Sequence, residues 1–184
     1  MLNDSERPKP FKQALCIFIL MTLSACTTVP DGVTPIQNFN LDRYLGTWYE
    51  IARLDHSFER GLSNVKAEYS INESGSVRVI NSGYSTTKNE FSSAEGRAKF
   101  VSEKTIGHLK VSFFGPFYGS YVVFELGDDY DYAFIAGNNK NYLWLLARSP
   151  DLDADIISRF VTKAESLGFA TAELIFVDHQ ARNL

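Results

Sequence analysis

A carboxylate, Glu50, stands two residues after Trp48 in the stretch Gly46-Thr47-Trp48-Tyr49-Glu50-Ile51-Ala52-Arg53. In an extended chain residues two apart share a face, so Glu50 follows the indole into an interior unless a bulge resets the register. A buried carboxylate needs a partner or a raised pKa. It either hydrogen-bonds a polar ligand group or pairs structurally with an internal phenol. Other ingredients of catalysis are sparse. There is no Gly-x-Ser-x-Gly elbow and no metal-spaced cluster, and His56, His108 and His179 stand far apart. His108 has the parity of Lys110, and all three histidines read as solvated surface groups. These residues argue against an enzyme, and nothing among them calls for a cofactor.

The remaining reactive group is a thiol. The chain has two cysteines in 184 residues, Cys16 and Cys26. Arg7, Lys9 and Lys12 precede the mostly apolar run Ala14 to Leu23, which is too short to span a bilayer as a helix of ~20 residues. This reads as a signal-peptide core over residues 1–25. It ends in Leu23-Ser24-Ala25-Cys26, which resembles a bacterial lipobox whose cysteine sulfur takes a diacylglyceryl group. An acylated Cys26 would be the membrane attachment, with residues 26–35 as the lipidated tether and 36–184 as the domain. Thr27 follows the cysteine, where aspartate would signal inner-membrane retention, so an outer-membrane destination is expected.

Removal of residues 1–25 takes away three basic and two acidic groups and moves the formal charge from −4 to −5. That acidity argues against a nucleic-acid partner, which requires a basic face. No thiol would remain for a disulfide, so the exported domain must be held by its core. About 150 residues suffice for that.

After Trp48 the chain alternates apolar and polar residues in short segments broken by turns. Val65, Ala67, Tyr69 and Ile71 alternate with Lys66, Glu68 and Ser70. Further segments run over 77–83, 90–101, 109–113, 120–126, 130–136 and 142–148. Eight antiparallel strands with short sequential connections predict an all-β up-and-down barrel that closes its own edges. Ile156, Ile157, Phe160, Val161, Ala164 and Leu167 recur at helical spacing, which predicts one C-terminal helix packed outside. A short last strand over 172–177 is expected to pair with the first.

At this point the sequence resembles the lipocalin family over the whole mature chain. Gly46-x-Trp48 matches its first motif, Asp129-Tyr130 lies at its second, and Arg148 matches its third. The segments Tyr44–Arg53, His56–Gly61 and Lys110–Gly119 are similar to bacterial outer-membrane members in particular. The resemblance implies that the Arg148 guanidinium packs across Trp48 at the barrel floor. It also implies a periplasm-facing lipoprotein that binds a fatty acid or lysophospholipid and has a capacity to form a homodimer.

Strand parity sets out a bore. Tyr69, Ala98, Phe100, Val111, Phe113, Tyr142 and Trp144 are the expected ligand-facing side chains, although Leu143 and Leu145 compete with the last pair for the inward face. Gly96 and the alanines Ala67, Ala94 and Ala98 suggest a void for an acyl chain; a solid core of the same residues is the other reading. The latter would make the protein a structural or protein-interaction lipoprotein. Phe58, Arg60, Phe117 and Tyr118 fall in loops expected to ring the mouth. That rim suits contact with lipid, a second subunit, or a lid folded over the opening.

Overall fold

The computed structural model describes residues 27–73 and 75–180. Cys26 and the expected signal peptide lie outside the described residues. A one-turn helix α1 (Leu41–Tyr44), capped by the Asn40 side chain accepting from the Arg43 amide, leads into β1 (Gly46–Arg53). Strands β2 (Leu62–Ile71), β3 (Val77–Ser85), β4 (Glu90–Phe100) and β5 (His108–Ser112) follow in order. Then come β6 (Gly119–Leu126), β7 (Tyr132–Ala136) and β8 (Leu143–Ala147). Each strand pairs antiparallel with the next, and β1 pairs with both β2 and β8, which closes the barrel.

Alternation separates the apolar residues into two cores. Trp48, Tyr69, Val79, Ala98, Leu109, Ile135 and Leu146 meet inside the barrel. Ala52, Val122, Phe134, Leu143, Leu145 and Ala147 meet outside it, beneath α2 (Ala154–Ser166). Phe160 and Ala164 of α2 are fully buried there, with the Phe160 ring 5.0 Å from that of Phe134. Lys163 and Arg159 reach the buried Glu125 at 2.6 and 2.8 Å. Gly168, at φ +80°, ends the helix while Phe169 N donates to Ala164 O. Because α2 covers them, β7 and β8 are buried on both faces, which is why Leu143 and Leu145 blurred the parity of β8.

The short β9 (Ile175–Phe176) pairs with Ala52 and Arg53 at the far half of β1, where β2 has diverged. Asn64 N donates to Asp178 O across the remaining gap. The residues from Thr27 onward in the expected tether lie against the barrel. Pro30 and Val33 are buried, Val33 within the outer core, and Ile36 N donates to Val123 O beside β6.

Candidate functional site

Antiparallel order gives the barrel two ends. Its floor is formed at Gly46, Tyr69, Phe100 and Ala147, and its mouth at Arg53, Leu62, Ser85, Gly119 and Leu143. At the floor Trp48 is fully buried, donates from Nε1 to Tyr44 O at 2.8 Å and stacks on the Tyr44 ring. The Arg148 guanidinium lies 4.0 Å over the Trp48 ring and donates to the carbonyls of Thr47, Arg43 and Tyr130. One cation thereby satisfies backbone oxygens of three segments and shields the indole.

Above the floor three phenols converge. Tyr69 donates to Tyr121 Oη at 2.9 Å, and Tyr44 and Tyr121 share a 2.6 Å hydrogen bond. Burial holds all three above the ordinary tyrosine range, so they stay neutral donors and acceptors in an apolar surround. The middle of the bore is apolar. Ala98 is buried, while Phe100, Val111, Phe113 and Trp144 pack against the inner core yet keep part of their surface accessible. Ala94 shares their face and is exposed. Phe113 also lines the groove beside β4–β5 on the outside of the wall. Gly96 does not open a void as expected: a Cβ there would lie 2.8 Å from the Phe113 ring and from Ser112 O, so the glycine admits a neighbour. Two surface grooves, of about 280 and 320 Å³, lie outside the bore, beside β4–β5 and beside β9.

Toward the mouth the bore becomes polar. A bulge between Glu50 and Ala52 leaves Glu50 inward with Trp48 and also turns Arg53 inward. Arg53 Nη1 donates to Glu50 Oε1 at 2.6 Å, and Nη2 donates to Glu59 O at 2.8 Å. Trp144 Nε1 donates to Glu59 Oε2 at 3.2 Å, and His56 Nε2 lies 3.1 Å from the same oxygen. His56 stacks on Phe58 at 4.0 Å and sits 5.1 Å from the Trp144 ring, with Tyr142 beyond. All four ionisable residues are buried. Burial raises the Glu50 pKa well above the carboxylate range, aided by the Glu59 charge and opposed by Arg53. Burial also raises Glu59, against the Trp144 donor and the Arg53 charge. Burial and the nearby guanidinium push His56 down to about 4, so the ring is neutral at neutral pH. The Glu50 carboxylate therefore takes the guanidinium while that of Glu59 meets Trp144 and His56, and both hold protons more readily than free carboxylates.

Several expectations change here. The Glu50 partner is a guanidinium three residues away, where a polar ligand group or an internal phenol was expected. His56 and His108 are buried; His108 does share the outer face with Lys110, but it hydrogen-bonds Ser120 Oγ at 3.0 Å instead of facing water. His179 is half-buried and donates to Glu50 O at 2.7 Å. Arg60 pairs with Asp55, both exposed, so its charge is already engaged. Phe58 and Phe117 are 58% and 70% exposed in mouth loops, and Tyr118 lies under the Lys110 ammonium. Sequence reasoning missed Arg53, Glu59, Tyr44 and Tyr121 as interior polar groups. Arg53 was concealed by the bulge and Glu59 by an irregular loop.

A Lipocalin-like domain model matches residues 39–179 of the chain. The chain belongs to the lipocalin family. Among curated lipocalins it is 52% identical to the outer membrane lipoprotein Blc of Vibrio cholerae, over 89% of this chain and 98% of that protein. The Escherichia coli K12 Blc is 42% identical over 91% and 95% of the two chains. Insecticyanin of the tobacco hornworm Manduca sexta superposes with a TM-score of 0.66 at 21% identity, over 82% of this chain and 86% of that one. The last comparison shows the same barrel. Lipocalins are binding proteins, and this lipocalin is a ligand binder, not an enzyme.

Proposed function

We propose that this lipocalin is a lipoprotein of the outer membrane, acylated at Cys26, whose periplasm-facing barrel reversibly takes up a fatty acid or lysophospholipid. The observation that carries this reading is the polarity profile of the bore. An apolar middle lined by Phe100, Val111, Phe113 and Trp144 suits one acyl chain, and the Glu50–Arg53–Glu59–His56 cluster at the mouth suits its polar head. Support for the location comes from the lipobox at Cys26 and from the relatives named outer membrane lipoprotein. The task would be lipid transport, storage or scavenging at the envelope.

Fluorescence titration tests the reading directly, because the domain has two tryptophans and Trp48 is sealed beneath Arg148. Lysophosphatidylcholine or palmitate should produce a saturable change that Trp144→Phe abolishes. A flat titration with every single-chain lipid, together with no lipid in native mass spectra of membrane-extracted protein, would sink the binding role. It would favour a structural lipoprotein with a filled barrel.

A further inference from the structure

The outer wall over β3, β4 and β5 concentrates cations in a chain whose formal charge is −4. Arg78, Arg97 and Ser112 lie in register across the three strands, and one row nearer the floor Lys99 faces Lys110. Ala98 and Val111 take the inner face, so these side chains point outward. Arginine therefore stands opposite arginine and lysine opposite lysine, and like charges directly opposed destabilise a sheet. The nearby carboxylates do not offset this. Glu95 takes Arg78 at 2.6 Å, and Glu68 takes Lys66 at 2.8 Å. Among the described residues no ion pair reaches Arg97, Lys99 or Lys110. Lys110 instead lies 5.3 Å over the Tyr118 ring.

The arginine row borders the groove of about 280 Å³ beside β4–β5, which Arg78, Arg97 and Ser112 all line. Ser112 is only 4% exposed, and its Oγ is buried with no hydrogen-bond partner. A buried hydroxyl left unpaired is costly and rare, which marks a place for a group that accepts its hydrogen bond. A Cβ on Gly115 would lie 4.0 Å from Arg97 Nη2, so the loop after β5 passes beside the guanidinium. An unpaired guanidinium, a second arginine opposite it and an unused hydroxyl thus present donors of one sign to one groove. Such an array suits a tetrahedral oxyanion, whose oxygens match the planar guanidinium fork.

We propose that this groove binds a phosphoryl group, that of free phosphate or of a phosphorylated headgroup. Arg97 and Ser112 are its direct ligands, and Arg78, Lys99 and Lys110 supply the surrounding positive field. An anion there relieves the repulsion in both cation pairs, so occupancy stabilises the β3–β5 wall. The site lies outside the bore and is independent of the acyl ligand and of an anchor at Cys26.

Titration of the membrane-extracted protein, followed through its backbone amides by heteronuclear NMR, tests the site. The Arg97 and Ser112 amides should shift saturably with inorganic phosphate, and not with sodium chloride at the same ionic strength. Arg97→Gln and Ser112→Ala should each weaken that binding roughly fivefold or more. Glycerol phosphate is the second probe. If it binds more tightly than inorganic phosphate, the source is a headgroup; equal or weaker binding makes it the free ion. Thermal melting adds a readout that a merely structural arginine would not give. In chloride Arg97→Gln should melt at or above wild type, because a repulsive pair is gone. In phosphate it should melt below, because the wild type gains more from the bound anion. Shifts that follow ionic strength alike in chloride and phosphate overturn the proposal, as does phosphate affinity unchanged in both variants. An equal rise in melting temperature of wild type and Arg97→Gln on adding phosphate overturns it as well.

Discussion

Arg53 is the residue on which the upper half of the bore depends. Its guanidinium is buried, and it bridges the Glu50 carboxylate and the Glu59 carbonyl. Removing one member of a buried ion pair leaves an uncompensated polar group, at a cost of about 3–5 kcal/mol. Arg53→Ala should lower unfolding stability by that amount in urea titrations. The double variant Arg53→Met/Glu50→Gln should recover much of it, because neither charge is then stranded. A second prediction concerns His56. Its folded pKa, about 4, lies below the ordinary 6.5, so the unfolded chain takes up the proton first as the medium acidifies. The histidine's contribution is complete above pH 6.5 and is lost toward pH 4, at up to about 1.4 kcal/mol per pH unit. His56→Gln should flatten the stability profile in that window. Glu50 and Glu59 act in the opposite sense. Their raised values favour the fold, fully below the ordinary carboxylate pKa, and that contribution is lost as the pH rises from there through the raised folded values.

Among the elements, α2 holds the barrel's outer face and its removal would expose strands that have no polar side. Phe160 is fully buried against Phe134, so Phe160→Ala should cost about 3–5 kcal/mol in chemical denaturation. The loss should come without any change in lipid-dependent Trp144 fluorescence, because α2 packs on the face opposite the bore. A coincident loss of lipid response in the still-folded variant would contradict the separation of the two cores. β1 has a different role. It carries the floor tryptophan and, after its bulge, the mouth arginine, so one strand serves both ends of the site.

At the scale of the molecule, the fold is a closed wall around a bore whose floor is sealed by Trp48 and Arg148 and whose other end holds the buried Glu50–Arg53–Glu59–His56 cluster. A ligand bound only to the folded barrel must stabilise it by mass action, by about 2.7 kcal/mol at a hundredfold excess over Kd. Delipidated protein should accordingly melt lower than the membrane-extracted form, and added lysophospholipid or palmitate should restore the midpoint. A thermal shift assay with and without lipid checks this. Identical midpoints at saturating lipid would oppose binding inside the barrel.

What could be read along the chain was whatever depends on local periodicity. Alternation over segments such as Val65 to Ile71 marked the strands, and helical spacing from Ile156 to Leu167 marked α2. Gly46-x-Trp48 with Arg148 marked the floor through their likeness to the lipocalin motifs, not through periodicity. Tertiary structure decided the rest. The β1 bulge turned Arg53 inward, an irregular loop brought Glu59 beneath it, and burial made His56 an interior group. It also set Thr28 beside Asn138 of the β7–β8 loop, which no local pattern encodes. These features arise between segments distant in sequence or from a single-residue shift in register, and such a shift reverses every later side chain on the strand.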